Sequence, residues 1–410
     1  MRFWINLRVA SRIFFMSFFK QLPIYPSDSI LGLQKSFLED DRENKVNLII
    51  GSYEDPKHPY GGLFCVQKAQ GLLLNDEMNK RYLPIRGLSL FLEGMRKLIF
   101  ENSSSEFVTD VQALGGTGAL HLGAKVFSMA YPSSRIYIPE QTWGNHVRIF
   151  SQQGLEVLRY PYYNSASRNL VFEETLACLE SSPQYSMVLL QCCCHNPTGK
   201  DFTEEMWRSL AELMQERKLV PFFDTAYLGF GKGVADDKRP IEMFLQRGIP
   251  VFVAACASKN FSLYGERVGY FAAYSECHED LRRISSVLDE KIRGEYSSPP
   301  RHGASIVSKV LSDSLLKKEW LSELEKIRQD IQKIREKFVQ TMRSHVGHSF
   351  DFILSQRGFF GYPGFSEEQV QFLRLEKGIY TTSGARFNLK GITEENMDYV
   401  ALGFAEAYQI

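Results

Sequence analysis

Between about residue 110 and residue 275 the chain alternates short apolar runs with amphipathic stretches, and few architectures accept that rhythm. The runs "RIYIP" (135–139), "LEVLRYP" (155–161), "MVLLQCCC" (187–194), "LVPFFD" (219–224), "VFVAACAS" (251–258) and "VGYFAAYS" (268–275) have the length and β-rich composition of strands. They are apolar throughout rather than alternating, as in strands buried on both faces. Between them, "EEMWRSLAELMQERK" carries acids at its front and bases at its back, the order that suits a helix dipole. Strand–helix–strand repetition predicts an α/β fold with a mostly parallel central sheet and helices on both faces.

After "YSSPPRHGA" (296–304) the period changes. Leu321, Leu324, Ile327, Ile331, Ile334 and Phe338 recur every three or four residues, which predicts one long amphipathic helix over 315–345. A short α+β tail follows. The 410 residues exceed one ordinary core. The expected division is an N-terminal arm (1–27), a smaller domain built from both chain ends (28–60 with 315–410), and a large domain (61–314).

Lysine plus arginine balances aspartate plus glutamate, 48 against 48, so no global field points to nucleic acid. Apolar runs stay well below the roughly 18 residues of a spanning helix, so no membrane partner is expected. Seven cysteines without disulfide-like spacing suit a reducing, cytoplasmic setting. Residues 1–15 carry Arg2, Arg8 and Arg12 and no acid, a pattern shared with organellar targeting segments. The preferred reading is a non-native extension before a second start at Met16.

"QCCCHNPTG" (191–199) resembles a metal site at first sight. If the strand runs to residue 194, Cys192, Cys193 and Cys194 point to alternate faces and cannot share one ion. The expectation is therefore no metal, with the sulfurs as small apolar filler.

Ligands in open α/β sheets collect beyond the carboxyl ends of the strands. Asn196, Asp224 and Lys259 all follow or close predicted strands, at separations of 28 and 35 residues that fit one strand–helix unit each. A partly desolvated lysine amine there suits carbonyl chemistry. Upstream, "ALGGTGALHLGAKVF" puts a glycine-rich turn before a helix, a place where backbone N–H groups attract an anion.

The runs "GGTGAL", "CCHNPTG", "FFDTAYLGF", "SKNFSLYGERVG" and "IRGEYSSPPRHGA" together resemble the class I aminotransferases. The match is to the aspartate/aromatic branch of the fold-type I enzymes that use pyridoxal 5'-phosphate, and it covers the chain from about Asp28 onward. The resemblance implies transamination, with glutamate and 2-oxoglutarate as one substrate pair and aromatic amino acids or aspartate as the other. It implies that Lys259 carries the cofactor as an aldimine, that Asp224 pairs with the pyridine nitrogen, and that Tyr227 and Asn196 bond the phenolic oxygen. Trp143 would stack on the ring, with His146 behind Asp224. Gly116, Thr117, Ser258 and Arg267 would hold the phosphate, joined by Tyr82 of a second subunit. Arg386 would grip the substrate α-carboxylate, and Arg293 would reach across a homodimer to a distal carboxylate. Gly51, Ile30 and Phe360 would line the substrate side, with Tyr264 in support.

Departures from the family pattern are Cys256 where a phosphate-binding serine is usual, Ser298 before Pro299, and Ser52 and Glu54. A strictly aspartate-selective aminotransferase is the nearest alternative, followed by other cofactor chemistry on this fold, such as β-elimination or decarboxylation. A sensing domain of a transcription regulator is the alternative outside enzymes.

Overall fold

The computed structural model describes residues 19–26, 28–53, 62–75, 80–101 and 105–410. The extension 1–15, Met16 and Glu54 lie outside them. The chain forms two compact units, one ending at Glu43 and the other spanning Asn44–Ile410. In the first unit, helix α1 (Ser29–Glu39) is capped by Asp28, whose Oδ1 accepts from the backbone N–H groups of Ile30 (3.0 Å) and Leu31 (3.1 Å).

The second unit is built on a seven-stranded sheet. After the short β1 (Val46–Asn47), which lies outside this sheet, its seven strands are β2 (Val108–Leu114), β3 (Arg135–Pro139), β4 (Glu156–Tyr160), β5 (Met187–Gln191), β6 (Val220–Thr225), β7 (Val251–Cys256) and β8 (Val268–Tyr274). The spatial order is β2-β8-β7-β6-β5-β3-β4. Every neighbouring pair is parallel except those of β8, which runs antiparallel to both β2 and β7. Alternate residues of one strand enter different clusters: Val188 and Leu190 pack on one side of the sheet, Met187 and Leu189 on the other. That explains the unbroken apolar runs, because neither face meets water.

Two expectations change at strand ends. β5 stops at Gln191, so Cys192, Cys193 and Cys194 are not in the strand. They lie buried in the bend that follows, where Cys194 takes φ 52°. Pleat alternation therefore does not govern where these thiols point. The edge strand β2 was absent from the predicted set, since its run "VTDVQAL" mixes polar with apolar residues; Asp110 and Gln112 are buried there as paired polar groups. The glycines 115 and 116 do not precede a helix but begin it: α2 spans Gly115–Ala130.

The expected long helix is α3, Ser314–Val346, capped by Asp313 and ended by Gly347. Leu324, Ile327, Ile331 and Phe338 are buried, whereas Leu321 is 41% exposed at the margin of the apolar stripe. In the tail, β9 (Phe360–Gly361) pairs with β11 (Phe387–Asn388), and β10 (Ile379–Tyr380) pairs in parallel with β1, Val46 opposite Ile379. No described helix is long and apolar enough to cross a membrane.

Candidate active site

The parallel strands end on one edge of the sheet, and the chain reverses there between β7 and β8. This reversal carries Ser258, Lys259, Tyr264 and Arg267 on one loop. Lys259 has its amine 4.9 Å from the Tyr264 ring centre. Burial holds its pKa below the ordinary lysine value; the Cys256 thiol opposes that shift, and the positive Arg386 and Arg267 add to it. Tyr264 in turn accepts the backbone N–H of Tyr53 at its hydroxyl, 2.8 Å away.

Arg267, at φ 55°, folds back so that its carbonyl accepts from the Gly115 N–H (2.9 Å). Gly115 has φ 69°, and a Cβ there would lie 2.3 Å from an Arg267 guanidinium nitrogen. Only glycine lets the guanidinium approach the start of α2 so closely. No side chain caps this helix end, so the first-turn amides around Gly116 and Thr117 have no capping acceptor. A Cβ on Gly116 would be 3.5 Å from the Cys256 sulfur, which places that thiol beside the same cradle.

On β6, Asp224 Oδ2 lies 3.2 Å from His146 Nε2, and Thr142 Oγ1 lies 2.8 Å from His146 Nδ1. Trp143 meets His146 edge-on, ring centres 5.3 Å apart. These contacts fix the carboxylate from behind.

Asn196, joined to Pro197 by a cis bond, is buried and clamped by Gln191. Its backbone N–H donates to Gln191 Oε1 (2.8 Å), and Gln191 Nε2 donates back to its carbonyl (3.2 Å). Asn196 Oδ1 accepts from Arg386 (3.0 Å), whose second terminal nitrogen donates to the Ile49 carbonyl (2.7 Å). The Arg386 Nε has no partner among the described residues, and burial pulls this guanidinium down to about 10, with Tyr227 opposing. A buried arginine with neutral acceptors and a spare N–H can take a carboxylate. Phe360 lies over it, 4.1 Å from ring centre to guanidinium carbon, and meets Tyr227 edge-on at 5.9 Å. Burial pushes the Tyr227 hydroxyl up, with Arg386 pulling it down and Asp224, Cys256 and Tyr264 adding to the rise. Tyr227 thus joins the arginine group to the carboxylate and the lysine loop.

Lys259, Asp224, Tyr227, Asn196, Arg267, Arg386, Gly51 and Phe360 are therefore drawn into one neighbourhood, with Gly116, Thr117, Ser258 and Trp143 on the elements that frame it. Arg293 and Tyr82 are not. Arg293 is exposed in the last turn of helix α4 (His278–Glu295) and donates to the Ser297 hydroxyl; Tyr82 is 93% exposed. Ile30 lies in the first unit, on α1. Sequence reasoning passed over Gln191, Thr142 and Asn388. Asn388 Nδ2 donates to the carbonyls of Ile50 (2.7 Å) and Ser52 (3.1 Å), holding the segment that contains Gly51. Gln191 had a signal, as the one polar residue of "MVLLQ". All seven cysteines are free thiols, and no described group of three or more His, Cys, Asp or Glu could hold a metal ion.

Comparison with known proteins gives the family. The family described as "Aminotransferase class I and II" matches residues 43–402. The chain is 38% identical over 393 residues to the aromatic-amino-acid aminotransferase of Escherichia coli (strain K12), covering 94% of this chain and 99% of that one. It is 39% identical over 385 residues to the aspartate aminotransferase of Salmonella typhi, covering 92% and 97%. The crystal structure of the aromatic-amino-acid aminotransferase from Burkholderia pseudomallei, covalently bound to pyridoxal phosphate, superposes with a TM-score of 0.91 at 36% identity, over 95% of this chain and 99% of that chain. A half-buried lysine, a backed carboxylate and a buried arginine with no acid partner among the described residues lie at the edge of a sheet in a chain that matches this family over most of its length: the chain belongs to the class I and II aminotransferases and is an aminotransferase.

Proposed function

We propose that this aminotransferase works with pyridoxal 5'-phosphate and moves the amino group between glutamate/2-oxoglutarate and a second pair, aromatic amino acids or aspartate and their 2-oxo acids. The observation that carries the reading is Arg386: a buried guanidinium with no acid partner among the described residues, roofed by Phe360.

The residues fit the cofactor. The cradle of Gly115, Gly116, Thr117 and Arg267 would be filled by a single Cβ and suits a phosphate. Asp224, held by His146, suits a protonated ring nitrogen. Trp143 offers a flat face beside it. When bound, the cofactor supplies the electron sink for the pair left at the substrate Cα.

The chain's own groups do the rest. Arg386 and Asn196 orient the α-carboxylate, which sets the Cα–H bond direction. Lys259 Nζ, neutral more readily than an ordinary lysine, takes the Cα proton and returns it. Asp224, backed by His146, would hold a proton on the cofactor's ring nitrogen. Phe360 and Tyr227 close the apolar side.

Phe360 and the names of two relatives, an aromatic-amino-acid and a tyrosine aminotransferase, support the aromatic substrates, and the name of a third, an aspartate aminotransferase, supports aspartate. The exposure of Arg293 and Tyr82 supports a homodimer in which each serves the other subunit's site. The pairing of Val46 with Ile379 supports a smaller domain joining the front of the chain to its tail. A cytoplasmic setting fits the free thiols.

Steady-state kinetics with Tyr, Phe and Asp against 2-oxoglutarate test the substrate reading. Turnover of Tyr and Phe within about tenfold of Asp supports it; fast Asp turnover with negligible aromatic turnover rejects the aromatic pair. A purified protein with no visible absorbance band before or after addition of pyridoxal phosphate would reject the cofactor.

A further inference from the structure

The apolar face of α3 carries a charge. Arg335 lies among Ile331, Phe338 and Val339 and is 1% exposed. A buried guanidinium ordinarily has a carboxylate beside it. Among the described residues this one has none: it donates to the backbone carbonyls of Phe360 (3.0 Å) and Gly358 (2.6 Å), and its Nε has no partner. Burial pulls its pKa down to about 9; the nearby Cys194 thiol opposes this and Arg357 adds to it.

Arg335 lines a cavity of about 280 Å³ whose wall also carries Arg357, Arg328 and Lys333. Arg357 is exposed, and its guanidinium makes no hydrogen bond or ion pair among the described residues. Arg328 is paired with Glu325, and the Lys333 amine lies 3.9 Å from Asp330. The acidic lining residue, Glu336, accepts from Gln332 at 2.9 Å. Four cations thus face a cavity with one acid in its wall, and the innermost cation is short of a counter-charge.

We propose that this cavity is a second binding site, for a small oxyanion of the phosphate or carboxylate class, with Arg357 and Arg328 at its mouth and Arg335 at its floor. Fork-shaped guanidinium groups suit such oxygens. The volume admits a phosphorylated or carboxylated small molecule as well as a bare ion. The site also has a route to the chemistry. Arg335 holds the carbonyls of Gly358 and Phe360, and Phe360 is the ring that roofs Arg386. An anion on Arg335 fixes the guanidinium that fixes this segment, so its binding alters how Arg386 receives substrate. The binding itself is independent of what Arg386 grips; the coupling rests on the proposed substrate reading.

The test is titration of the holoenzyme with inorganic phosphate, and separately with acetate, at constant ionic strength, followed by calorimetry. Arg357→Ala and Arg328→Ala, both surface-reaching changes, are compared with the unaltered chain. One saturable site whose affinity falls at least about tenfold in both variants supports the proposal; phosphate or acetate as the tighter ion assigns the class. No saturable binding of either ion, or binding equal in all three proteins, overturns it. For the coupling, phosphate should change the KM for the amino acid in the unaltered chain and not in Arg357→Ala. An equal change in both proteins reports competition at Arg386 and rejects the coupling while leaving the substrate reading intact.

Discussion

The Phe360 ring sits over Arg386, and it reaches that position because residue 51 has no side chain. A Cβ on Gly51 would fall 2.3 Å from Phe360 Cζ. The ring, the glycine and the guanidinium form one layer, and the conformational freedom of glycine is not the reason; space is.

Gly51→Ala should therefore displace the ring without unfolding the protein, at a cost of about 1–3 kcal/mol. The KM for both amino and 2-oxo acids is expected to rise about tenfold, with a smaller change in kcat. A KM unchanged for every substrate would place Phe360 outside substrate binding.

At Gly115 both space and backbone conformation matter, since φ is 69° and an added Cβ would lie 2.3 Å from an Arg267 guanidinium nitrogen. Gly115→Ala should cost about 1–2 kcal/mol of backbone strain and push the guanidinium off the start of α2. Retention of pyridoxal phosphate on dialysis should weaken at least about tenfold, read from residual absorbance. Full retention would remove Arg267 from the phosphate cradle.

Cys256 faces the same cradle with a thiol, a poor donor. Cys256→Ser is expected to slow cofactor dissociation about threefold to tenfold, the worth of one ordinary hydrogen bond. Faster dissociation would show that the sulfur contributes packing rather than bonding.

Lys259 gives a pH signature in the cofactor-free protein. Its folded pKa lies below the ordinary value of about 10.4, so the unfolded chain binds this proton more tightly than the folded one. The resulting destabilisation is fully present below the lowered pKa and fades as pH rises toward the ordinary one. Lys259→Met should thus melt higher than the unaltered apoprotein near pH 7, with the gap in Tm closing toward pH 10. A gap that widens with pH contradicts the assignment. In the cofactor assay the same variant should lose the visible band and at least about 10³-fold in turnover.

Much of this site was legible because strands buried on both faces announce themselves as unbroken apolar runs, and Asn196, Asp224 and Lys259 follow such runs. The edge strand Val108–Leu114 escaped because its buried polar residues are satisfied by partners far along the chain: Asp110 by Arg96 and Tyr270, Gln112 by the Pro300 carbonyl. Periodicity cannot see such partners. The end of β5 was misplaced for a related reason. Cys192 to Cys194 are as apolar as strand residues, yet the bend is set by Asp201, which accepts the backbone N–H groups of Cys194 and His195 at 2.9 Å each. Gln191, Thr142 and Asn388 act by positioning other residues; Gln191 stands out as the one polar residue of its strand, whereas Thr142 and Asn388 carry no such mark.

The reversed strand β8 has a consequence for how such a chain can vary. Because β7 and β8 run in opposite directions, the connection between them needs no crossover helix and stays wholly at the working edge of the sheet. Residues 257–267 therefore keep Ser258, Lys259, Tyr264 and Arg267 in fixed phase with one another. An insertion in one of the crossover helices can be absorbed far from the chemistry. One added residue in this hairpin would shift amine, ring and guanidinium together, making its length the least negotiable measurement in the molecule.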